Sequence, residues 1–188
     1  MGGMLNALVG SFAPAAASTS YESIATINGS GSSSIQFTSI PSTYKHLQIR
    51  SIAGVNDATG VRDVQIQFNN DTGANYSRHW IYSFGSSIAS LSGSNQSNYG
   101  YGYASGTDTG SAVRSSTVID ILDYSNTSKS KTIRGLNGTD RVSSGNTVLV
   151  FSSGGWYSTS AITSITIALA SGNFASNTQF ALYGIKGA

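Results

Sequence analysis

A chain of 188 residues fits one domain with a single core, and 39% hydrophobic residues, with ten Tyr and seven Phe, suffice to fill it. Charged residues are only 10%, against roughly 25% in ordinary soluble domains, and a formal net charge of +2 with no basic run argues against a nucleic-acid partner. The absence of cysteine removes disulfides, thiolate metal sites and thiol chemistry together.

Residues 1–20 read as an N-terminal arm ahead of one β domain spanning residues 21–188. The arm is made of small residues, carries Leu5, Leu8, Val9 and Phe12 as its larger apolar groups, and has Pro14 as a stop. The first charge is Glu22, so the arm lacks the basic start of a secretory signal, and no stretch approaches the apolar length of a membrane span. A small apolar arm suits a groove on a neighbouring subunit, and Leu5, Leu8, Val9 and Phe12 are its candidate contacts.

Strand signals then recur at short intervals. Residues 20–27 and 33–37 open the domain, followed by 47–50 and 64–68, where Val64, Ile66 and Phe68 alternate with Gln65 and Gln67 as in a sheet with one buried face. Further strands are expected at 76–84, 117–122, 131–136, 148–151, 165–169 and 179–185. Turn signals at Asn28-Gly29, Asn56-Asp57, Asn69 to Gly73, Asn137-Gly138 and Ser171-Gly172-Asn173 separate them. Residues 85–116 show no strand pattern and read as a long loop. In it Tyr99, Tyr101 and Tyr103 alternate with glycine, and serve either as a contact surface or as a cover for a sheet edge. Many short strands with this punctuation predict an all-β, antiparallel β-sandwich, jelly-roll-like in topology, with an extended N-terminal arm.

Reactive constellations are scarce. No nucleophile elbow, phosphate-binding loop or paired-histidine zinc motif occurs, and His46 and His79 alone cannot build a metal site. Of the eight acids, Asp120 and Asp123 lie close in sequence, yet on one strand they face opposite sides, unlike a glycosidase pair. Asn69, Asn70 and Asp71 read as a turn before a calcium loop, because no bidentate Glu follows. The six Asn-x-Ser/Thr sequons follow from a composition with 35 Ser. Trp80 and Trp156 fit core anchors better than sugar platforms. The expectation is a non-enzymatic protein without cofactor or metal.

Several ordered segments carry a resemblance. They are Tyr21-Glu22-Ser23-Ile24-Ala25-Thr26, then Ile35 through Leu47 with Ile40-Pro41-Ser42-Thr43-Tyr44 at its centre, and Gln67 through Ser77. Near the end follow Trp156, Ala161 through Ile167 and Phe180-Ala181-Leu182-Tyr183-Gly184-Ile185-Lys186. Across residues 21–186 the chain resembles small β-sandwich structural proteins of tailed phages, of the head-decoration and tail-fibre types. The resemblance implies a virion component assembled in the host cytoplasm, an accessory capsid decoration or cement protein or a tail-attached subunit that works by protein packing. Its partners would be other capsid or tail proteins, and no catalytic residue is carried over. A receptor- or glycan-binding module of a tail fibre is the alternative, with Tyr99, Tyr101 and Tyr103 as contacts. Symmetric homo-oligomers being the rule for such assemblies, a homotrimer is expected.

Overall fold

The computed structural model describes residues 20–58, 60–107, 113–140 and 147–187. These residues form twelve strands and no α-helix: β1 (Tyr21–Asn28), β2 (Ser34–Phe37), β3 (His46–Ala53), β4 (Val61–Phe68), β5 (Tyr76–Phe84), β6 (Ser87–Gln96), β7 (Tyr99–Ser105), β8 (Ser115–Leu122), β9 (Lys131–Thr139), β10 (Val148–Trp156), β11 (Ile165–Leu169) and β12 (Gln179–Ile185). Two sheets result, one of eight strands in the order β1-β12-β3-β8-β9-β10-β5-β6 and one of four in the order β2-β11-β4-β7. Every pairing between these strands is antiparallel. The expected antiparallel sandwich is therefore present. The arm residues Leu5, Leu8, Val9 and Phe12 lie outside the described residues.

The period-two pattern places the core. Leu47 and Ile49 of β3, Ile119 and Ile121 of β8, Ile133 of β9 and Leu182 of β12 project from the large sheet. They meet Val64, Ile66 and Phe68 of β4, Ile165 and Ile167 of β11, and Phe37 of β2. At one end Phe68, Tyr76 and Trp156 pack ring against ring with centroids 5.6 to 6.4 Å apart. A second, smaller cluster of Trp80, Val148 and Val150 sits towards β5 and β6, with Val61, Tyr82, Phe84, Leu91 and Tyr103 packed against it.

Two expectations are corrected here. Residues 85–116 are no strand-free loop: they contain the hairpin partner β6 and the small-sheet edge strand β7. The Tyr-Gly alternation is a strand pattern in which the glycines are buried against large-sheet side chains, Gly100 against Arg78 and Trp80 and Gly102 against Asn137. Tyr99 and Tyr101 are interior, 0% and 1% exposed, and Tyr103 is partly buried against Trp80 and Phe84. They are packing residues, and of the two expected roles, contact surface or cover, burial leaves Tyr99 and Tyr101 little exposed surface for the first. Asn137-Gly138, read as a turn, lies inside β9. Asn137 is held there by side-chain hydrogen bonding, with no backbone reversal.

Asn137 is fully buried and joins the two sheets. Its Oδ1 accepts from the Tyr103 backbone N–H at 3.0 Å, and its Nδ2 donates to the Tyr103 carbonyl at 3.0 Å and to Thr117 Oγ1 at 2.8 Å. The strand facing it makes room by a bulge: Val64 pairs with Gly102 and Gln65 with Gly100, leaving Tyr101 extra. Gly102 has φ +155°, and a Cβ there would lie 2.5 Å from the Asn137 side chain. Gly154 answers a similar demand on β10, where a Cβ would lie 2.1 Å from the Ser77 carbonyl and 2.8 Å from the Tyr99 ring.

Truncating Asn137 strands the Tyr103 backbone groups in the interior. Asn137→Ala should lower unfolding free energy by about 3 kcal/mol with an unchanged denaturant slope, measured by urea titration. Gly102→Ala should be destabilising alone and cost less in the Asn137→Ala background, since its steric partner is then gone.

Candidate functional site

The outer face of the large sheet departs from the usual polar pattern. On β8, β9, β10 and β5 the outward positions are mostly Ser, Thr, Gly, Asp, Arg and His; besides Leu122 and Leu149 towards strand ends, one position in the middle of each strand is large and apolar: Val118, Leu136, Phe151 and Ile81. Register puts these four departures in one row. Val118 stands opposite Leu136, Leu136 opposite Phe151, and Phe151 opposite Ile81. Their exposures are 38%, 44%, 55% and 56%, so a continuous apolar ridge crosses four strands in water. Contiguous patches of this kind mark contact sites, whereas scattered surface apolars are ordinary.

On one side of the ridge runs a polar row: Gln48, Asp120, Arg134, Ser153 and His79, again each opposite the next. Arg134 Nε donates to Asp120 Oδ2 at 3.0 Å, and Gln48 Nε2 donates to Asp120 Oδ1 at 2.8 Å. Arg50 Nε donates to Gln48 Oε1 at 2.8 Å, and the Arg50 guanidinium lies 5.4 Å and 5.7 Å from the Tyr183 and Tyr21 ring centroids. A groove of about 540 Å³ follows the boundary between this row and the ridge, lined by Ile81, Leu136, Phe151, Asp120, Arg134 and His79. On the other side Ser116 and Gly138 face each other, and their small size leaves a hollow of about 350 Å³ bounded by Val118, Leu136 and Leu149. Ile52 and Ile88 flank the middle of this third row on β3 and β6, 54% and 79% exposed.

The residues weighed for chemistry are held in other duties. Asp120 is in the polar row, while Asp123 follows β8 with φ +49° and forms an ion pair with Lys45 at 3.0 Å and another with Lys129. His46 Nδ1 accepts the Asp123 backbone N–H at 2.9 Å, so that nitrogen carries no proton towards the carboxylate. Asp71 accepts from Trp156 Nε1 at 2.6 Å and from the Gly73 N–H at 2.8 Å, tying its own turn to the core. Asn69 Oδ1 accepts the N–H groups of Thr163 and Ser164 at 2.9 and 3.1 Å. Trp80 and Trp156 are interior, the former donating Nε1–H to the Gly100 carbonyl at 2.9 Å. Lys131 is also interior, with Nζ donating to the carbonyls of Asn126, Lys129 and Thr159 at 2.6, 3.0 and 3.3 Å, and burial lowers its pKa. Among the described residues no three of His, Asp and Glu gather as a metal set.

Sequence reasoning missed the ridge because each strand shows only one or two outward apolar residues among polar ones. The run Thr117-Val118-Ile119-Asp120-Ile121-Leu122 carried a faint signal, being apolar on both faces at Val118. Only the register across four strands turns single anomalies into a surface. No family model, no curated protein and no solved structure matches this chain.

Ion pairing, first with Lys129 and then with Lys45, holds the Asp123 carboxyl at about 2, below its ordinary 3.8. A depressed folded pKa gives stability that is complete above the unfolded value and vanishes as pH falls through the folded one. Asp71 and Glu22 are lowered as well, through Trp156 and Lys186 respectively. Thermal midpoints should therefore decline from about pH 4 to about pH 2, and Asp123→Asn should be less stable at neutral pH with a shallower acid decline.

Proposed function

We propose that this chain is a structural subunit of a tailed-phage particle, attached to capsid or tail proteins through the outer face of its large sheet. The ridge Val118–Leu136–Phe151–Ile81 carries the reading: it is apolar and bordered by a polar row in which Gln48, Asp120 and Arg134 are hydrogen-bonded to one another, the arrangement of a packing surface with a core and a rim. Phe151 at its centre is the natural anchor, since aromatic residues dominate such contacts. The phage assignment rests on the resemblance across residues 21–186. Leu5, Leu8, Val9 and Phe12 remain the proposed second point of attachment.

Strand order supports the finer jelly-roll reading. With the hairpins β5-β6 and β9-β10 set aside, the remaining strands form the four-stranded sets β1-β12-β3-β8 and β2-β11-β4-β7. The steps β1 to β2, β3 to β4, β7 to β8 and β11 to β12 each cross from one set to the other. Eight strands wound in this way suit both capsid and lectin domains, so the fold alone does not choose between them. A glycan-binding module is the second reading, favoured by one observation: the exposed Phe151 ring lines the same groove as Asp120, Arg134 and His79. A sugar ring stacked on Phe151 would find hydrogen-bonding groups beside it.

Recombinant protein added to purified particles lacking it should bind them, and Phe151→Glu combined with Leu136→Glu should reduce occupancy at least tenfold while leaving the thermal midpoint nearly unchanged. Undiminished occupancy would remove the ridge from the proposal. Binding to a glycan array together with failure to bind particles would select the second reading.

A further inference from the structure

The two sheets present four edge strands, and three of them are protected in the ways natural sheets use against edge-to-edge pairing. β1 carries Glu22, ion-paired to Lys186, and a bulge between Ser23 and Ala25. β2 has only four residues. β7 is bulged at Tyr101 and lies over β9, β10 and β5 with its tyrosines buried. The fourth, β6, has none of these devices over most of its length. Its ten residues, Ser-Ile-Ala-Ser-Leu-Ser-Gly-Ser-Asn-Gln, include neither a charge nor a proline. Its irregularity is confined to one end, near Asn95 with φ +55°, while Ser87 to Gly93 pair in unbroken register with Phe84 to Arg78. Along that regular run the far edge of β6 meets no other strand among the described residues.

A second feature lies behind this edge. Trp80 and Val150 of the smaller apolar cluster are fully covered, but Tyr82, Phe84 and Leu91, on the side nearest β6, remain partly exposed. β7 ends the small sheet before it reaches β6, so the cluster is open where the large sheet runs on alone.

We propose that β6 pairs with β6 of a second copy, antiparallel about a two-fold axis through Ser90. This register uses the whole regular run. Ser90 meets its own mate, Ile88 meets Ser92 and, on the inner face, Leu91 meets Ala89. The Leu91 contact extends the open cluster into that of the other copy, and the outer row Val118–Leu136–Phe151–Ile81–Ser90 continues across the axis into its symmetry mate. A strand free of charge is self-complementary in such an arrangement, because no like charges are brought face to face. The contact is small beside the roughly 1,200 Å² or more of a stable interface, so the dimer is a weak one that forms at high concentration or when copies are gathered on a surface. The inference does not depend on the phage reading.

Sedimentation of the full chain from about 1 µM to about 1 mM, the range in which small interfaces associate, should show a monomer–dimer equilibrium. Ser90→Lys places two ammonium groups opposite each other and should raise the dissociation constant at least tenfold with no change in thermal midpoint. The register has its own test, made clean by the lack of native cysteine. Ser90→Cys should form a disulfide-linked dimer under mild oxidation, because facing residues of a ladder stand about 5 Å apart. Ser92→Cys, on the same exposed face but about 13 Å from its mate, should not. A chain that stays monomeric throughout, a trimer unaffected by Ser90→Lys, or cross-linking at 92 that equals or exceeds that at 90 would overturn the proposal.

Discussion

One buried amide fixes how the two sheets sit on each other. Asn137 reaches from β9 to both backbone groups of Tyr103 on β7, and takes Thr117 of β8 as a further partner. Buried polar groups are costly unless paired, and a fully paired one specifies a single arrangement. Here it sets the position of β7 under the large sheet, which in turn demands the Tyr101 bulge and the glycine at 102. Tyr99 is locked in the same seam, its hydroxyl within 2.9 Å of Ser152 Oγ and burial pushing its pKa up. Shift this seam by one residue and every alternating side chain of β7 changes face.

The second constraint is arithmetic. A four-stranded sheet cannot cover an eight-stranded one, so the inner surface of β6 and part of β5 needs other cover, while no strand among the described residues covers the large sheet's outer surface. The molecule answers the first need in part with a satellite cluster built from Trp80, Tyr82, Phe84 and Tyr103 in edge-to-face contact. The second surface is left open, and that is where the apolar ridge lies. Unequal sheets thus give one molecule two distinct surfaces: a broad outer plane crossed by a ridge, and an unguarded lateral edge.

Much of the fold was legible in the residues. Alternation at Val64 to Phe68, Leu47 to Arg50 and Ile165 to Leu169 marked strands because each buries one face only, and seven further strands were marked by β-branched and aromatic residues between turn signals. The two missed strands explain themselves. β6 is so rich in Ser and Gly that its single Leu91 scarcely alternates, and β7 hides its tyrosines among glycines that normally punctuate turns. Asn137-Gly138 misled for a related reason, since local propensity cannot anticipate an amide bond to a strand 34 residues away. The candidate surface was illegible because it is a property of register. Val118, Leu136, Phe151 and Ile81 are spread over four strands and become neighbours only when these align.

The scarcity of charge reaches beyond solubility. Hydroxyl, amide and hydrocarbon groups make up most of the ridge, the hollow beside it and the whole of β6, leaving few ions at these surfaces for counterions to screen. Contacts of this composition hold their strength from dilute buffer to brine, and excluded salts such as sulfate tighten them. The same neutrality removes long-range attraction, so encounter proceeds at the ordinary unsteered rate of about 10⁵–10⁶ per molar per second. Such a molecule assembles slowly when dilute and, once seated, is not loosened by added salt.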